Sequence, residues 1–290
     1  MKTQFTWLFL LASLTSLAQD KSQYIKDIKA WHQDRLESLK SENGWLNLAG
    51  LFWLEEGANS FGSDASNQIV FPEKAPKKLG TLLLKDSKVS FLAEQGVEVS
   101  LLGSKVPAPY VFVDGQSATM QYGSLRWFII KRGPKVGIRL RDLESVDLQH
   151  FKGVDTYPID AKWKVTAKLE KNTTDKKIAI MDVLGQTTMQ PSPGTLVFSI
   201  AGKEYRLDAV ESEGELFILF ADPTNQKETY GAGRFLYAEL PNEQGTTILD
   251  FNKAINPPCA FTAFATCPLP PKQNRLPIAI RAGEKNYGLH

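Results

Sequence analysis

The spacing of hydrophobic residues changes from a helical to a β period near residue 45. Between Asp20 and Lys40 apolar residues recur at three- to five-residue steps, which predicts one amphipathic helix. Asp20 with Gln23 has the pattern of a capping box, and Asn43-Gly44 is typical of a helix end. The predicted apolar stripe comprises Tyr24, Ile28, Trp31, Leu36 and Leu39.

From Trp45 onward, apolar segments of five to ten residues alternate with turns rich in Gly, Asp and Pro. Even spacing of this kind is typical of antiparallel sheets. The clearest strand pattern is Lys162–Leu169, where apolar residues alternate with lysines and a threonine. We therefore predict a mainly β fold, with antiparallel sandwich or barrel modules and one N-terminal helix.

Composition shifts divide the chain into four predicted segments. Residues 142–157 have little apolar periodicity and separate two β regions, while Asn256–Pro277 holds many prolines, which exclude ordinary helix or central strand. The segments are a signal peptide (1–18), an N-terminal helix (19–44), a first β module (45–148) and a second β module with a proline-rich loop (151–290).

The first residues have the pattern of a secretory signal. Lys2 precedes an apolar run that ends near Leu14, and Ser16-Leu17-Ala18 is a small-x-small cleavage pattern. The run is shorter than the roughly 20 residues that cross a bilayer. We expect an exported protein, periplasmic or secreted, that begins at Gln19 and has no membrane span.

The amino-acid composition excludes several classes of protein. The chain has 34 Lys+Arg against 32 Asp+Glu, and this near balance argues against a nucleic-acid binder. Three His and two Cys are too few for a conventional zinc or iron–sulfur centre. We predict no cofactor and no metal site, and 42% hydrophobic residues exclude wholesale disorder.

The C-terminal half carries motifs of a known family. The segments Thr229-Tyr230-Gly231-Ala232-Gly233-Arg234, Asp250-Phe251-Asn252, Asn256-Pro257-Pro258-Cys259 and Asn274-Arg275-Leu276 resemble the bacterial and archaeal family catalogued as domain of unknown function 1684. This resemblance implies no particular activity. The first β module is also similar to a forkhead-associated sandwich, on Asn59-Ser60-Phe61-Gly62-Ser63-Asp64. The Arg and His with which that fold binds phosphothreonine are missing, so the resemblance implies architecture alone.

Cys259 and Cys267 lie close together in the proline-rich loop. An oxidising compartment favours a structural disulfide between them. Two alternatives are a pair of buried free thiols and a nucleophilic Cys259, which would need a base such as His150.

Polar residues cluster near the same loop. Asp250 and Glu284 are candidate catalytic carboxylates, since two carboxylates divide acid and base work in glycoside hydrolysis. Alternatively, Asp and Asn here organise turns. On the basic strand, Arg139 and Arg141 share one face and suit an anionic group, or form a solvated surface. The full set of candidate ligand-binding residues is Arg139, Arg141, Tyr230, Arg234, Asp250, Asn252, Asn256 and Asn274.

Two functional hypotheses follow. The first is an exported ligand-binding or envelope accessory module with a pocket near Asn256–Pro277, for a small anionic or polyhydroxylated ligand. The second is a periplasmic hydrolase that uses Asp250 and Glu284, or Cys259. A purely structural role for the loop is the third possibility.

We expect the intact mass of the exported protein to correspond to a chain that begins at Gln19. Alkylation of the native protein adds no label if the cysteines are bonded, and alkylation after reduction adds two. Rapid labelling of one cysteine in the native protein would instead identify Cys259 as a reactive thiol.

Overall fold

The computed structural model describes residues 6–103, 105–172 and 176–288, with side chains from Asp20 onward. The charged start of the predicted signal peptide, with Lys2, lies outside the described residues, as do the side chains of its apolar run. The cleavage site at Ala18 is thus described by its backbone alone.

The chain divides into two compact units. The terminal unit comprises residues 1–38, 153–261 and 266–290, and so contains both ends of the chain. The central unit comprises residues 39–152 and 262–265. The domain limits drawn from the sequence stay a prediction, because the units are defined by contacts and join the N-terminal helix to the second β region.

Helix α1 spans Thr6–Lys40. The predicted helix is therefore present but begins earlier, because the preceding run is rich in Leu and Ala, which favour helix. Asp20 consequently lies inside the helix and does not cap it. Ile28 and Leu39 of the predicted stripe are buried, and residues 41–44 form the turn that ends the helix.

No helix among residues 6–103, 105–172 and 176–288 is long and apolar enough to cross a membrane.

The central unit is built from strands β1 to β11 and a short helix, α2 (Val146–His150). The strands are β1 (Leu48–Trp53), β2 (Gly57–Gly62), β3 (Ile69–Val70), β4 (Gly80–Lys85), β5 (Lys88–Ala93), β6 (Ser100–Leu102), β7 (Tyr110–Val113), β8 (Gln116–Ser117), β9 (Thr119–Tyr122), β10 (Leu125–Arg132) and β11 (Lys135–Asp142). One sheet has the order β1-β11-β10-β9-β6, and the other has the order β3-β2-β4-β5-β7-β8. The pairing is antiparallel except between β2 and β3.

Both sheets of the central unit contribute side chains to one aromatic core. Trp127 on β10 is fully buried and contacts Phe61 and Phe71 edge-on, with ring centroids 5.8 and 5.7 Å apart. Edge-on aromatic pairs of this kind add to the free energy gained by burial. The sandwich therefore depends on large side chains from separate strands.

The terminal unit contains strands β12 to β19. They are β12 (Lys164–Lys171), β13 (Lys177–Met181), β14 (Thr187–Pro191), β15 (Gly194–Ile200), β16 (Lys203–Ser212), β17 (Glu215–Phe220), β18 (Arg234–Glu239) and β19 (Thr246–Asp250). Six of them form an antiparallel sheet in the order β18-β17-β16-β15-β12-β19, and β13 pairs with β14. Strand β12 has the predicted alternation, with Ala167 and Leu169 buried in the core. The strand begins at Lys164 and not at Lys162 as predicted, because Trp163, which is also buried in this core, ends the 3-10 turn Ala161–Trp163.

The proline-rich segment is irregular, as its sequence predicts. Between Asn256 and Pro277 its helical structure consists of short 3-10 turns at Pro258–Ala260 and Lys272–Asn274. The remaining 3-10 turns of the described chain are Ala161–Trp163 and Phe251–Lys253. The observed fold is mainly β, with antiparallel sheets curled into half-barrels and a helix near the N-terminus, which confirms the predicted class.

Replacing Trp127 with Ala tests the aromatic core of the central unit. We expect a loss of about 3–5 kcal/mol of unfolding free energy, because a large cavity replaces a fully buried ring. Urea denaturation followed by circular dichroism measures it. Leu92→Ala is the control, because that side chain is 74% exposed. Its free energy of unfolding should differ from the wild-type value by no more than about 0.5 kcal/mol, and a larger loss would contradict its exposed position.

Candidate functional site

One face of helix α1 borders a cavity of about 430 Å³ in the terminal unit. Tyr24, Ile28 and Trp31 recur at helical spacing, so they lie on the same side of the helix. The other walls come from strands of the six-stranded sheet and from Lys253, which ends the 3-10 turn after β19. The lining residues are Tyr24, Asp27, Ile28, Trp31, Lys164, Glu215, Tyr237, Ala238, Glu239, Thr247, Ile248, Asp250 and Lys253.

Asp250 is fixed within this wall by hydrogen bonds. The Tyr24 hydroxyl lies 2.9 and 2.8 Å from the two carboxylate oxygens, to which it donates. The backbone and side-chain N–H groups of Asn252 donate to Oδ1 at 3.1 and 3.0 Å. Burial, followed by the hydrogen bond to Asp250, raises the pKa of Tyr24 well above its usual value. The hydroxyl therefore keeps its proton at neutral pH.

The side-chain amide of Asn252 already has hydrogen-bond partners for both its nitrogen and its oxygen. Its side chain donates to the Tyr24 hydroxyl and to the Asp160 carbonyl, and it accepts from the Asp160 N–H. Asn252 is also 99% buried, with 1% of its surface exposed. This predicted ligand residue therefore orients Asp250 and does not line the cavity.

Carboxylates outnumber cations around the cavity. Asp27, Glu215, Glu239 and Asp250 face two lysines, Lys164 and Lys253. The lysine ammonium groups also lie over aromatic rings: Lys164 Nζ is 5.0 Å from the Tyr24 ring centroid and Lys253 Nζ is 5.7 Å from that of Trp31. The cavity thus combines aromatic faces with several hydrogen-bond acceptors, and its charge disfavours an anionic occupant.

Glu284 lies in a different environment from Asp250. It is 1% exposed, Oε1 lies 3.3 Å from Arg35 Nε and Oε2 accepts from the Asn256 N–H at 2.6 Å. Arg35 is eleven positions beyond Tyr24 on helix α1, or about 16 Å along the axis. Glu284 does not line the cavity, so the structure does not bring the two candidate catalytic carboxylates around one open site.

Asn256 is fully buried and holds the loop to the C-terminal segment. Its side-chain amide donates to the Lys285 carbonyl at 2.7 Å, and its own carbonyl accepts from Arg35 at 3.2 Å. Its Oδ1 is buried without a hydrogen-bond partner. The contacts that Asn256 makes are structural.

Arg234, predicted as a ligand-binding residue, forms a fully buried ion pair with Asp222 at 2.8 Å. Its guanidinium also donates to the carbonyls of Ala282 and Ile280 at 2.5 and 2.8 Å. Neither charge of the pair is exposed, so Arg234 holds backbone together and is closed to a ligand.

The glycine before Arg234 is required by close packing. Gly233 has a φ of +100°, and a Cβ there would lie 2.5 Å from Pro270 Cγ and 2.7 Å from the Phe220 carbonyl oxygen. The Gly-x-Gly motif is therefore a turn that lets the loop approach the sheet.

Asn274 is also fully buried. It accepts from the Asp208 N–H and donates to the carbonyls of Asp208 and Leu219, each at 2.8 Å. These bonds satisfy backbone groups of two neighbouring strands, β16 and β17, so Asn274 fastens the loop to the sheet.

A second cavity, of about 280 Å³, lies where the proline-rich loop contributes Arg275 and Leu276. Its other walls include Asp222, Asn225 and Gly231. Tyr230, a predicted ligand residue, does not line this cavity. Burial raises the pKa of its hydroxyl. The loop therefore borders a space, but of the eight predicted ligand residues Asp250 alone lines either of these two cavities.

Cys259 and Cys267 form a disulfide, with Cα atoms 6.1 Å apart. Closing so short a loop stabilises the folded chain by about 2.5 kcal/mol on the chain-entropy account. The bond leaves no thiolate, which removes Cys259 as a nucleophile in the oxidised protein.

Arg139 and Arg141 belong to the central unit and are buried, with 6% and 8% of their surface exposed. The predicted alternative of a solvated basic face is therefore wrong for these two residues. Arg141 Nη1 donates to the Gly44 carbonyl and to Asn47 Oδ1.

The described residues contain no group of three or more His, Cys, Asp or Glu placed to hold a metal ion.

Sequence reasoning missed most of the cavity wall. Tyr24 and Trp31 were recognised as an apolar helical stripe, but nothing local indicated that the stripe borders a space. Tyr237 and Ile248 are apolar residues with 42% and 44% of their surface exposed, which becomes visible only in the structure.

Fold and cavity together define a class: a mainly β protein with a ligand-sized cavity between a helix and a sheet in one unit. Residues 149–285 match the model of the family described as a protein of unknown function, DUF1684, which confirms the resemblance of the C-terminal motifs to that family. No curated protein matches the chain.

The chain is also similar to a solved structure, the solution NMR structure of an uncharacterized protein from Haloarcula marismortui. The two share 28% identity, over 48% of this chain and 79% of the other, with a TM-score of 0.41. A TM-score this low adds nothing to the fold described above.

Glu284 gives a pH-dependent test of this arrangement. Burial raises its pKa above the usual value of 4.5, against the opposing charge of Arg35. The folded state therefore holds the proton to higher pH than the unfolded chain, so unfolding free energy falls as pH rises above about 4.5. In Glu284→Gln this contribution is absent, and we expect the variant to gain stability relative to wild type across that window.

Urea denaturation at a series of pH values measures the difference between the two proteins. The exposed Glu243→Gln serves as control and should follow the wild-type profile. A constant difference between Glu284→Gln and wild type at all pH values would contradict the raised pKa.

Proposed function

We propose that the chain is an exported ligand-binding protein whose site is the cavity against helix α1 in the terminal unit, and that its ligand is a small polyhydroxylated compound. The observation that carries the proposal is the 430 Å³ cavity, whose wall includes Asp250 and three aromatic side chains, Tyr24, Trp31 and Tyr237. A volume of this size is typical of small-molecule sites.

The ligand class follows from the side chains on the wall. Tyr24, Trp31 and Tyr237 offer aromatic faces against the C–H faces of a sugar ring, while the carboxylates accept hydrogen bonds from hydroxyls. Four carboxylates against two lysines disfavour the anionic ligand that the sequence left open, because an anion would meet net negative charge.

Asp27 is one of three exposed carboxylates on the wall, with Glu215 and Glu239. One carboxylate oxygen of Asp27 accepts from Gln23 Nε2 at 2.8 Å. Asp250, by contrast, has both oxygens engaged by Tyr24. Asp250 therefore supports the shape of the wall, and Asp27 is the more direct partner for a hydroxyl.

Export is supported by two observations of different kinds. The first 18 residues have the pattern of a secretory signal, and Cys259 and Cys267 are joined in a disulfide. Disulfides persist in oxidising compartments and are rare in the cytosol. A periplasmic or secreted location fits both.

A hydrolase is less well supported by the same site. Its carboxylate version needs Asp250 and Glu284 at one open site, and Glu284 is buried against Arg35 and Asn256. Its thiol version needs a free Cys259, which is bonded to Cys267.

The proposal is tested by calorimetric titration of the exported protein with glucose, galactose and N-acetylglucosamine. We expect saturable binding of at least one sugar and a roughly fivefold to tenfold weaker affinity in Asp27→Asn, because a charged acceptor is lost from the wall.

Asp34→Asn is the matched control, since Asp34 is an exposed carboxylate on the same helix that does not line the cavity. Its affinity should equal that of the wild type. Absence of binding for all three sugars, or equal weakening in both variants, would refute the proposed ligand class.

A further inference from the structure

Strand β11 of the central unit carries two buried arginines on the face that points away from the aromatic core. Its core-facing residues Val136, Ile138 and Leu140 belong to the aromatic core. Arg139 and Arg141 lie on the opposite face, because side chains alternate along a strand. Both are more than nine-tenths buried, although neither contributes to that core.

These two arginines have no carboxylate partner among the described residues. Nearby acids are engaged elsewhere in the central unit: Asp142 pairs with Lys74 at 2.8 Å, and Glu42 with Arg126 at 2.6 Å. The burial of an unpaired charge is costly, and proteins normally pair such groups or hydrogen-bond them fully.

The unsatisfied atoms have a specific arrangement. In Arg139, Nε and Nη2 are buried without a hydrogen-bond partner, and the same holds for Nε of Arg141. Nε and Nη2 are neighbouring nitrogens of one planar group, and paired N–H donors of this kind bind the two oxygens of a carboxylate or phosphate.

The residues paired with Arg139 in the sheet supply no side-chain acceptor. The register partners of Arg139 are Leu51 on β1 and Phe128 on β10, both apolar. Burial and the positive charges of Arg132 and Arg141 lower the pKa of Arg139 to about 10, so the group is still charged at neutral pH. The unpartnered edge of Arg139 therefore has apolar neighbours in the sheet. Arg141 keeps its bonds to the Gly44 carbonyl and Asn47 Oδ1, and its register partner Arg126 is already paired with Glu42.

We infer that Arg139 and Arg141 form an oxyanion-binding site on the outer face of β11, in which the Nε/Nη2 edge of Arg139 receives two oxygens of one anion and Arg141 Nε a third contact. The ligand class is a small phosphate, sulfate or carboxylate group. This site is independent of the proposed cavity, which lies in the terminal unit and is lined by other residues.

The test uses the full exported chain and measures the melting temperature in sodium phosphate, sodium sulfate and sodium malonate, each against sodium chloride of equal ionic strength. A bound anion raises the melting temperature progressively above its dissociation constant, whereas simple screening gives the same value in chloride. The three salts also distinguish tetrahedral from planar anions.

Arg139→Met is the decisive variant. It should lose the response to the oxyanion, with affinity weakened by roughly tenfold or more. In chloride it should melt about 2–4 °C above wild type, because an unpaired buried charge is replaced by an apolar side chain. A purely structural arginine predicts the opposite change in chloride.

Lys131→Met is the matched control. Lys131 is an exposed cation on β10 that pairs with Val136, and therefore lies on the other face of the sheet. This variant should respond to the anions as wild type does. The inference is overturned if the wild type shows no response beyond chloride, if Arg139→Met responds like wild type, or if Lys131→Met loses the response equally.

Discussion

The buried pair of Arg234 and Asp222 is the interaction on which the rest of the terminal unit depends. Asp222 lies two residues after the end of β17 and before the Tyr-Gly-Ala-Gly motif, and Arg234 begins β18 after it. The guanidinium donates to the carbonyls of Ala282 and Ile280, while the carboxylate accepts from the N–H groups of Thr224 and Ile280. One ion pair thus joins the turn, a strand and the irregular C-terminal segment. Because both charges are fully buried, loss of either would leave the other without compensation.

The need to satisfy buried backbone groups also explains the buried asparagines of the C-terminal half. An irregular segment cannot satisfy its backbone groups by helix or sheet pairing, so side chains must do so. Asn274 bonds backbone groups of β16 and β17, and Asn256 bonds the backbone near Lys285. The Cys259–Cys267 bond then closes the loop covalently. The motifs of residues 149–285, which match the family model, are therefore explained mostly by packing and hydrogen bonding. The 430 Å³ cavity is bordered by Asp250 alone among the predicted ligand residues.

Arg234 and Arg139 are both buried, but the protein compensates for their charges differently. Arg234 is desolvated but paired, and it also lies 5.1 Å from the Phe220 ring centroid. Arg139 is desolvated with two unpartnered nitrogens and apolar neighbours. The Nε of Arg234 is also buried without a hydrogen-bond partner, but its guanidinium is paired with the Asp222 carboxylate, whereas Arg139 has no carboxylate partner among the described residues. The presence or absence of a paired carboxylate is therefore what distinguishes the two environments.

The sequence by itself determined the local features: the β period after Trp45, the helix over Asp20–Lys40 and the irregular proline-rich loop. Each depends on neighbouring residues, through side-chain alternation, helical spacing or the missing N–H of proline. Only the tertiary structure decided which polar residue meets which. Tyr24 and Asp250 are 226 positions apart, and Arg35 and Glu284 are 249 apart. No local period encodes such pairs, because they form where separately folded segments pack together, and the same packing decides which side chains border a cavity and which are closed to a ligand.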